Sequence, residues 1–305
     1  MNKVIILLST YNGEKYLNTQ LESLYGQLGV DIHIVVRDDG SKDRTVDILQ
    51  KYSKDYGKMT IIEGENKGAI LSFYELMKYA SETFDNTCYY AFCDQDDYWK
   101  EDKLKRAVDM NDNNAEVFFY HSCYEIVDSE LNYLSQSSNR HTKGTLGEAL
   151  IANQAIGCSM VMTHKVLSEA SKICGYETDL SLPYHDVWTY LVALSIEAKI
   201  VFDDYCSLKY RQHGNNVIGL KKNAFSKLKF QYSNLIHHKN LKSGFASLLL
   251  ELVNVTSNSK ETLLLAKNYR NSFGNKMKLV CNREFRTKRL YRNIAFIYFA
   301  LKGDY

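Results

Sequence analysis

Hydrophobic and polar positions alternate between two periods from the first residues of this chain. Val4-Ile5-Ile6-Leu7-Leu8 is a continuous apolar run, the pattern of a strand buried on both faces. Tyr16, Leu17, Leu21 and Leu24 then recur at helical spacing and predict a helix over 13–27. A second strand is expected at 32–37, followed by a helix over 43–55 with Val46, Ile48, Leu49 and Tyr52 as its apolar set. A short strand at 59–62, a helix over 68–81 and a buried strand at 88–93 complete the series. This βαβαβαβ order predicts an α/β fold, with a mostly parallel sheet and helices on both faces. The pattern changes after Asp97. A helix over 103–110, a strand at 117–120 and helices over 145–153, 165–173 and 185–194 are expected, then late strands at 200–202 and 206–210. Residues 221–305 read as almost wholly helical, and the single proline of the chain is Pro183.

The 305 residues suffice for a full core, as one large α/β domain or as a domain with an appendage. The expected division is residues 1–220 and residues 221–305. The net charge of +2 conceals an asymmetry between them. Residues 221–305 hold 17 Lys and Arg against 4 Asp and Glu (+13), which leaves 21 against 32 (−11) in residues 1–220. Seven cysteines are scattered without a Cys-x-x-Cys pair, and the first residues lack a signal-peptide pattern. Reduced thiols and a cytoplasmic location are the expectation. No apolar run approaches the ~20 residues that span a bilayer.

Four segments carry candidate chemistry. Asp94-Gln95-Asp96-Asp97 ends a buried strand with three carboxylates in four positions. Such crowding is a solvated turn or a cation site, and all-oxygen ligands favour Mg²⁺ or Mn²⁺ shared with substrate phosphates. Asp38-Asp39-Gly40-Ser41 is a second acidic strand end, either a turn with a helix cap or a place where Asp39 reads a pyrimidine base. His185-Asp186 is a helix N-cap or a proton acceptor. Tyr210-Arg211-Gln212-His213-Gly214 is a polar strand end or part of a leaving-group environment. Two acidic strand ends suggest one nucleotide-diphosphate site at the carboxyl edge of the sheet.

The order of these segments resembles a known family. Ser9-Thr10-Tyr11-Asn12-Gly13, Asp38 to Thr45, Glu65-Asn66-Lys67-Gly68 and Asp94 to Trp99 are similar to family 2 glycosyltransferases of GT-A fold. Gly157 to Val161, His185-Asp186-Val187-Trp188 and Tyr210 to Gly219 are similar to their bacterial rhamnosyltransferase-like branch, which builds cell-surface polysaccharides. The resemblance spans roughly residues 3–220. Ser9 stands where the family often has proline, beside an intact Thr-Tyr-Asn.

The resemblance implies roles. Thr10, Tyr11 and Asn12 would line the nucleotide pocket, Asp38 would support its turn and Asp39 would read the base. Arg44 and Asn66 would lie on the nucleotide face, and Asp94 near the ribose or the metal. Asp96 would be the direct ligand of Mg²⁺ or Mn²⁺, and Asp97 a ligand or a helix cap. Asp186 would be the general base of an inverting transfer. Arg211 or His213 would complete the leaving-group environment, His213 as a further metal ligand. The Gln-x-x-Arg-Trp of processive synthases is missing, which implies single-sugar addition. The donor expected first is dTDP-rhamnose, with UDP-hexoses next and a saccharide or lipid-linked acceptor. A sugar-nucleotide pyrophosphorylase would show a Gly-rich basic loop after the first strand, where this chain offers only Gly13 and Lys15. A non-catalytic nucleotide-sugar-binding protein would not need both Asp96 and Asp186.

The basic tail interleaves Lys221, Lys222, Lys227, Lys229, Arg283, Arg286, Lys288, Arg289 and Arg292 with Leu290, Tyr291, Ile294, Phe296, Ile297 and Phe299. It is expected to pack as a helical appendage with a basic face or to lie on the anionic inner leaflet of the membrane. No nucleic-acid motif accompanies the charge, so nucleic acid is not an expected partner.

Overall fold

The computed structural model describes residues 1–137, 144–176, 181–213 and 241–305. In chain order it contains β1 (Lys3–Thr10), α1 (Leu17–Tyr25), β2 (Asp31–Asp38), α2 (Thr45–Tyr56), β3 (Met59–Glu63), α3 (Ala69–Thr83) and β4 (Cys88–Asp94). There follow β5 (Tyr98–Trp99), α4 (Lys103–Asp109), β6 (Phe118–Val127), β7 (Tyr133–Gln136), α5 (Leu146–Ile151), β8 (Val161–Thr163), α6 (His164–Ser171), α7 (His185–Ser195) and β9 (Lys199–Arg211). Four helices follow among the described residues of the tail: α8 (Leu241–Leu252), α9 (Ser257–Asn268), α10 (Phe273–Cys281) and α11 (Leu290–Lys302).

The strands form one sheet in the order β3-β2-β1-β4-β8-β6-β9-β5, with β7 on β6. The first four are parallel, as is the β6·β9 pair. The β4·β8, β8·β6, β6·β7 and β5·β9 pairs are antiparallel, so the far half is mixed. Strand β1 is buried on both faces because its side chains alternate between two cores. Ile5 and Leu7 enter one, packed with α3, α5, α6, α7 and the tail helices. Val4, Ile6 and Leu8 enter the other, packed with α1, α2 and α4. Each such side chain contributes roughly 1.5–3 kcal/mol by leaving water.

Several elements depart from the sequence expectation. The first helix starts at Leu17 rather than residue 13, because Gly13 O accepts the amides of both Tyr16 and Leu17 in a preceding turn. The two late strands are one strand, β9, whose register with β6 shifts around Cys123. Strands β5 and β8, of two and three residues, are too short to show a period, and every residue of β7 is exposed.

The described residues of the tail share the first core through Phe245, Leu249, Leu263, Tyr269, Phe285 and Phe296. The expected boundary at 220/221, the segment 214–219 and the four lysines from Lys221 to Lys229 lie outside the described residues. On α11, Leu290, Tyr291, Ile294, Tyr298 and Leu301 face outward, while Phe296 and Phe299 are buried. Arg286 folds inward, donating to the carbonyls of Phe285 (2.8 Å) and Val280 with its guanidinium over the Phe296 ring. No helix of the described residues is long and apolar enough to cross a membrane.

Candidate active site

Strand β1 lies between β2 and β4, and the chain turns outward to β2 and β3 before crossing back to β4. Reversal of strand order opens a crevice at the carboxyl ends of such strands. Register places Thr10 opposite Asp38 and Ser9 opposite Asp94. The three acidic or polar strand ends singled out from sequence therefore meet at one edge.

The β1·β2 side is a closed hydrogen-bond network. Asp38 accepts from Thr10 Oγ1 (2.9 Å), Ser41 N (2.8 Å) and Ser41 Oγ (2.6 Å). Asn12 adopts a left-handed backbone (φ 47°). Its amide donates to Ser41 Oγ (2.9 Å), and its side-chain oxygen accepts from Lys42 N (2.8 Å). Asp39 is buried, and its Oδ1 accepts from Arg37 (2.5 Å) and Lys67 N (2.8 Å), its Oδ2 from Gly68 N (2.8 Å). Three of a carboxylate's roughly four acceptor positions are thus filled by the protein. Arg37 also holds Glu75 at 2.5 Å. Gly40 has φ +79°, and a Cβ there would stand 3.1 Å from Gly64 O. Its lack of a side chain therefore serves the 64–68 loop. Tyr11 and Asn12 are exposed on the rim. Arg44 is exposed beside Glu14 (3.3 Å), and Asn66 is exposed in the 64–68 loop.

The β4 side is different. Asp94, Asp96 and Asp97 crowd a turn where burial removes water. The Asp94 carboxyl is pushed up to about 7, by burial first, then by Asp96 and Asp186. Asp97 is fully buried and held well above the carboxylate range, by burial and then by Asp96 and Asp94. It caps no helix: its Oδ1 accepts the Arg211 amide at 3.1 Å, fastening the end of β9 to the acidic turn. Its Oδ2 has no hydrogen-bond partner among the described residues, nor has the buried Lys103 ammonium, which sits 3.9 Å from the Trp99 ring centroid. Burial pushes that ammonium down to about 8. His213 Nε2 lies 2.7 Å from Asp96 Oδ2.

Arg211 is 3% exposed, donates from Nε to Asp96 O (2.7 Å) and from Nη1 to Ser129 O, and stacks over Tyr16. Expected as a leaving-group donor, it instead braces the backbone of the acidic turn. The His213 ring packs on the same Tyr16 at 4.8 Å. Carboxylates crowded with an uncompensated oxygen, beside an imidazole nitrogen, form a donor set that fits a divalent cation. Asp96 and His213 are the pair that would hold it. Asp94, Asp97 and Cys158 also bring one donor atom each within 4.8 Å of one another.

Asp186 stands in the first turn of α7. Burial raises its carboxyl to about 6, against the lowering effect of the Val187 and Gly157 amides and the Asn153 side chain. Val187 N donates to its Oδ1 at 2.7 Å and Asn153 Nδ2 to its Oδ2 at 3.2 Å. The neighbouring His185 points into the core, stacked on Phe73 at 3.7 Å, and burial pushes it down to about 3, so it is neutral. A carboxylate poised near neutrality and open to hydrogen bonding is suited to accept a proton. Asp186 is among the groups that push the Asp94 carboxyl up, after burial and Asp96.

Sequence reasoning did not find Asn153, Tyr16 or Gln95. Gln95 accepts from Tyr11 N (2.9 Å) and donates to Tyr11 O (3.1 Å). Only its place between Asp94 and Asp96 could have marked it; Asn153 and Tyr16 carry no local signal of their roles.

The strand-order reversal, with the acidic ends of β2 and β4 meeting at its edge, belongs to a sheet of GT-A fold. Residues 5–169 match the family model for glycosyl transferase family 2, and the chain belongs to that family. It is 30% identical over 238 residues to the dTDP-rhamnosyl transferase RfbG of Shigella flexneri, covering 76% of this chain and 80% of that one. It is 27% identical to the UDP-Glc:alpha-D-GlcNAc-diphosphoundecaprenol beta-1,3-glucosyltransferase WfaP of Escherichia coli, covering 71% of this chain and 80% of that one. Among solved structures, Staphylococcus aureus TarS 1-349 with UDP-GlcNAc aligns with a TM-score of 0.58 at 18% identity, covering 97% of this chain and 79% of that one. The mannosyltransferase PcManGT of Pyrobaculum calidifontis with GDP-Man and Mn²⁺ aligns at 0.53 and 14% identity, covering 98% and 73%. These two carry the fold alone.

Proposed function

We propose that this glycosyltransferase transfers one sugar, with inversion, from a nucleotide-diphosphate donor to a saccharide or lipid-linked acceptor in cell-surface polysaccharide synthesis. Rhamnose from dTDP-rhamnose is the first choice, supported by the RfbG similarity. A UDP-hexose donor is the second, supported by the WfaP similarity, whose named acceptor is a diphosphoundecaprenol-linked sugar.

The observation that carries the reading is the register that brings the ends of β1, β2 and β4 to one edge, Thr10 opposite Asp38 and Ser9 opposite Asp94. Tyr11 and Asn12 form the nucleotide-side rim, Thr10 is buried beneath it with its hydroxyl on Asp38, and Asp39 has one acceptor position left with which to read a base imide. Asp96 and His213 would hold Mg²⁺ or Mn²⁺, which would supply counter-charge to the departing diphosphate. Asp186 takes the proton from the acceptor hydroxyl as that oxygen attacks the anomeric carbon. Attack opposite the diphosphate inverts configuration. Arg211, buried against Asp96 O, keeps the acidic turn in place.

The outward apolar stripe of α11 lies next to Lys288, Arg289 and Lys302 and suits peripheral contact with the anionic inner face of the membrane. Each cation near such a surface contributes about 1 kcal/mol.

The deciding experiment titrates dTDP-rhamnose, UDP-glucose, UDP-galactose and UDP-N-acetylglucosamine, with and without Mn²⁺. Metal-enhanced binding of dTDP-rhamnose above the other three is expected. Preferential binding of a UDP-sugar replaces the donor assignment, and binding of none of the four ends the donor reading.

A further inference from the structure

Beyond Asp186, the end of α5 faces the start of α11 across a small recess of about 60 Å³. Glu148 and Asn153 lie on one wall, and Thr287, Lys288, Arg289 and Arg292 on the other. The cationic wall is built rather than draped. Thr287 N donates to Asn293 Oδ1 (2.8 Å) and Asn293 Nδ2 returns a bond to Thr287 O (2.8 Å), locking the turn onto the helix it precedes. Arg292 shares the inward face of α11 with Phe296 and Phe299, at i+4 and i+7, opposite the exposed apolar stripe.

The charge there is lopsided. Lys288 and Arg292 both line the recess, and neither forms an ion pair with a carboxylate among the described residues. Arg289 (3.4 Å) and Arg292 (3.2 Å) both donate to the Tyr291 hydroxyl, so two like charges converge on one neutral oxygen. Such a site is short of an anion with several acceptor oxygens. Its location assigns the anion a role. Asn153, on the recess wall, also donates to Asp186 Oδ2 at 3.2 Å. A group bound in the recess is therefore one side chain away from the base.

We propose that this recess binds a phosphate or diphosphate carried by the acceptor saccharide, close to the hydroxyl that Asp186 deprotonates. The acceptor role rests on the transferase reading; the anion site itself does not. Asn153 is then a positioning residue, aligning the base with the charged end of the acceptor.

The test uses the full chain in metal-free buffer, with the donor site saturated by UDP or dTDP, and titrates inorganic pyrophosphate by calorimetry. A second saturable site is expected. Lys288→Gln and Arg292→Gln should each weaken it about tenfold, the effect of losing one charge-assisted contact. Arg292→Lys should recover part of the loss. The exposed helix variants Lys260→Gln and Lys267→Gln carry the same charge change away from the recess and should leave it unaltered. Vesicles of phosphatidylglycerol and phosphatidylcholine form the second arm. The proposal is overturned if no second site exists, or if recess and control variants behave alike. It is equally overturned if recess variants lose vesicle binding while pyrophosphate affinity holds, which would make the cations a lipid surface. Should pyrophosphate binding follow the recess residues while the wild type neither binds nor hydrolyses any sugar nucleotide, the anion site stands and the transferase reading falls.

Discussion

The two acidic strand ends of this enzyme are built on opposite principles. At the end of β2, Asp38 and Asp39 are surrounded by donors: Thr10, Ser41, Arg37 and the amides of Lys67 and Gly68. At the end of β4, Asp94 and Asp97 are surrounded by other acids, and burial with mutual repulsion drives both upward. A carboxylate whose oxygens are filled by the protein holds a shape. A cluster left short of positive charge is ready for something that arrives with the substrate. Composition alone made the two look alike; the donors around them separate scaffold from chemistry.

Removing charge from the second cluster should give the largest effect. Asp96→Ala should lower sugar transfer by roughly 10²–10³, as for loss of a major electrostatic element at a departing group. Chelation with EDTA should do the same to the wild type. Full turnover in EDTA would return the acidic turn to the scaffold class.

Asp186→Asn keeps shape and removes proton acceptance. Transfer should fall roughly 10²-fold while donor affinity stays near wild type. Collapse of donor affinity with high residual turnover would move Asp186 into the donor site.

The scaffold end should fail in a different currency. Asp39→Ala leaves Arg37 facing Glu75 alone and strands two loop amides. Breaking a buried pair costs about 3–5 kcal/mol, to be read as a shift in the urea midpoint. An unchanged midpoint with lost nucleotide binding would show that Asp39 acts on the ligand alone.

The smallest effect is that of pH. As the proposed base, Asp186 must be ionised to accept a proton, and burial raises its carboxyl to about 6. The transfer rate should therefore fall as pH drops through 6, about tenfold per unit below it. Asp186→Asn should flatten that limb of the profile, and a limb that persists in the variant belongs to another group.

Much of this was legible in the sequence because the signals were local. The runs 4–8, 32–37 and 88–93 gave three strands of the parallel half, and their ends marked the crevice. The antiparallel insertion of β8 between β4 and β6 was not legible, since three residues carry no period and pairing is set by partners far along the chain. Arg211 could be flagged as interesting but not assigned. Whether a guanidinium faces ligand or backbone is decided by Asp96 O and Ser129 O, which lie 115 and 82 positions away. Asn153 was invisible for the same reason, as its tie to Asp186 spans 33 positions. The tail's charge was legible; its direction was not, since Arg286 and Arg292 turn toward the protein body.

The Gln95 side chain imitates a peptide group, accepting from Tyr11 N and donating to Tyr11 O as a neighbouring strand would. Room for it exists because position 13 is glycine: a Cβ there would lie 2.3 Å from Gln95 Oε1. The loop after the first strand and the acidic turn are consequently stitched together by one residue that the other must leave space for. In evolutionary terms, positions 13 and 95 are expected to vary together. A side chain at 13 should make the flexible Gln95 amide swing aside and give up its two bonds to Tyr11. A one-residue insertion in either loop should be rarer than elsewhere on the rim, because it would break a bridge that can form at only one spacing.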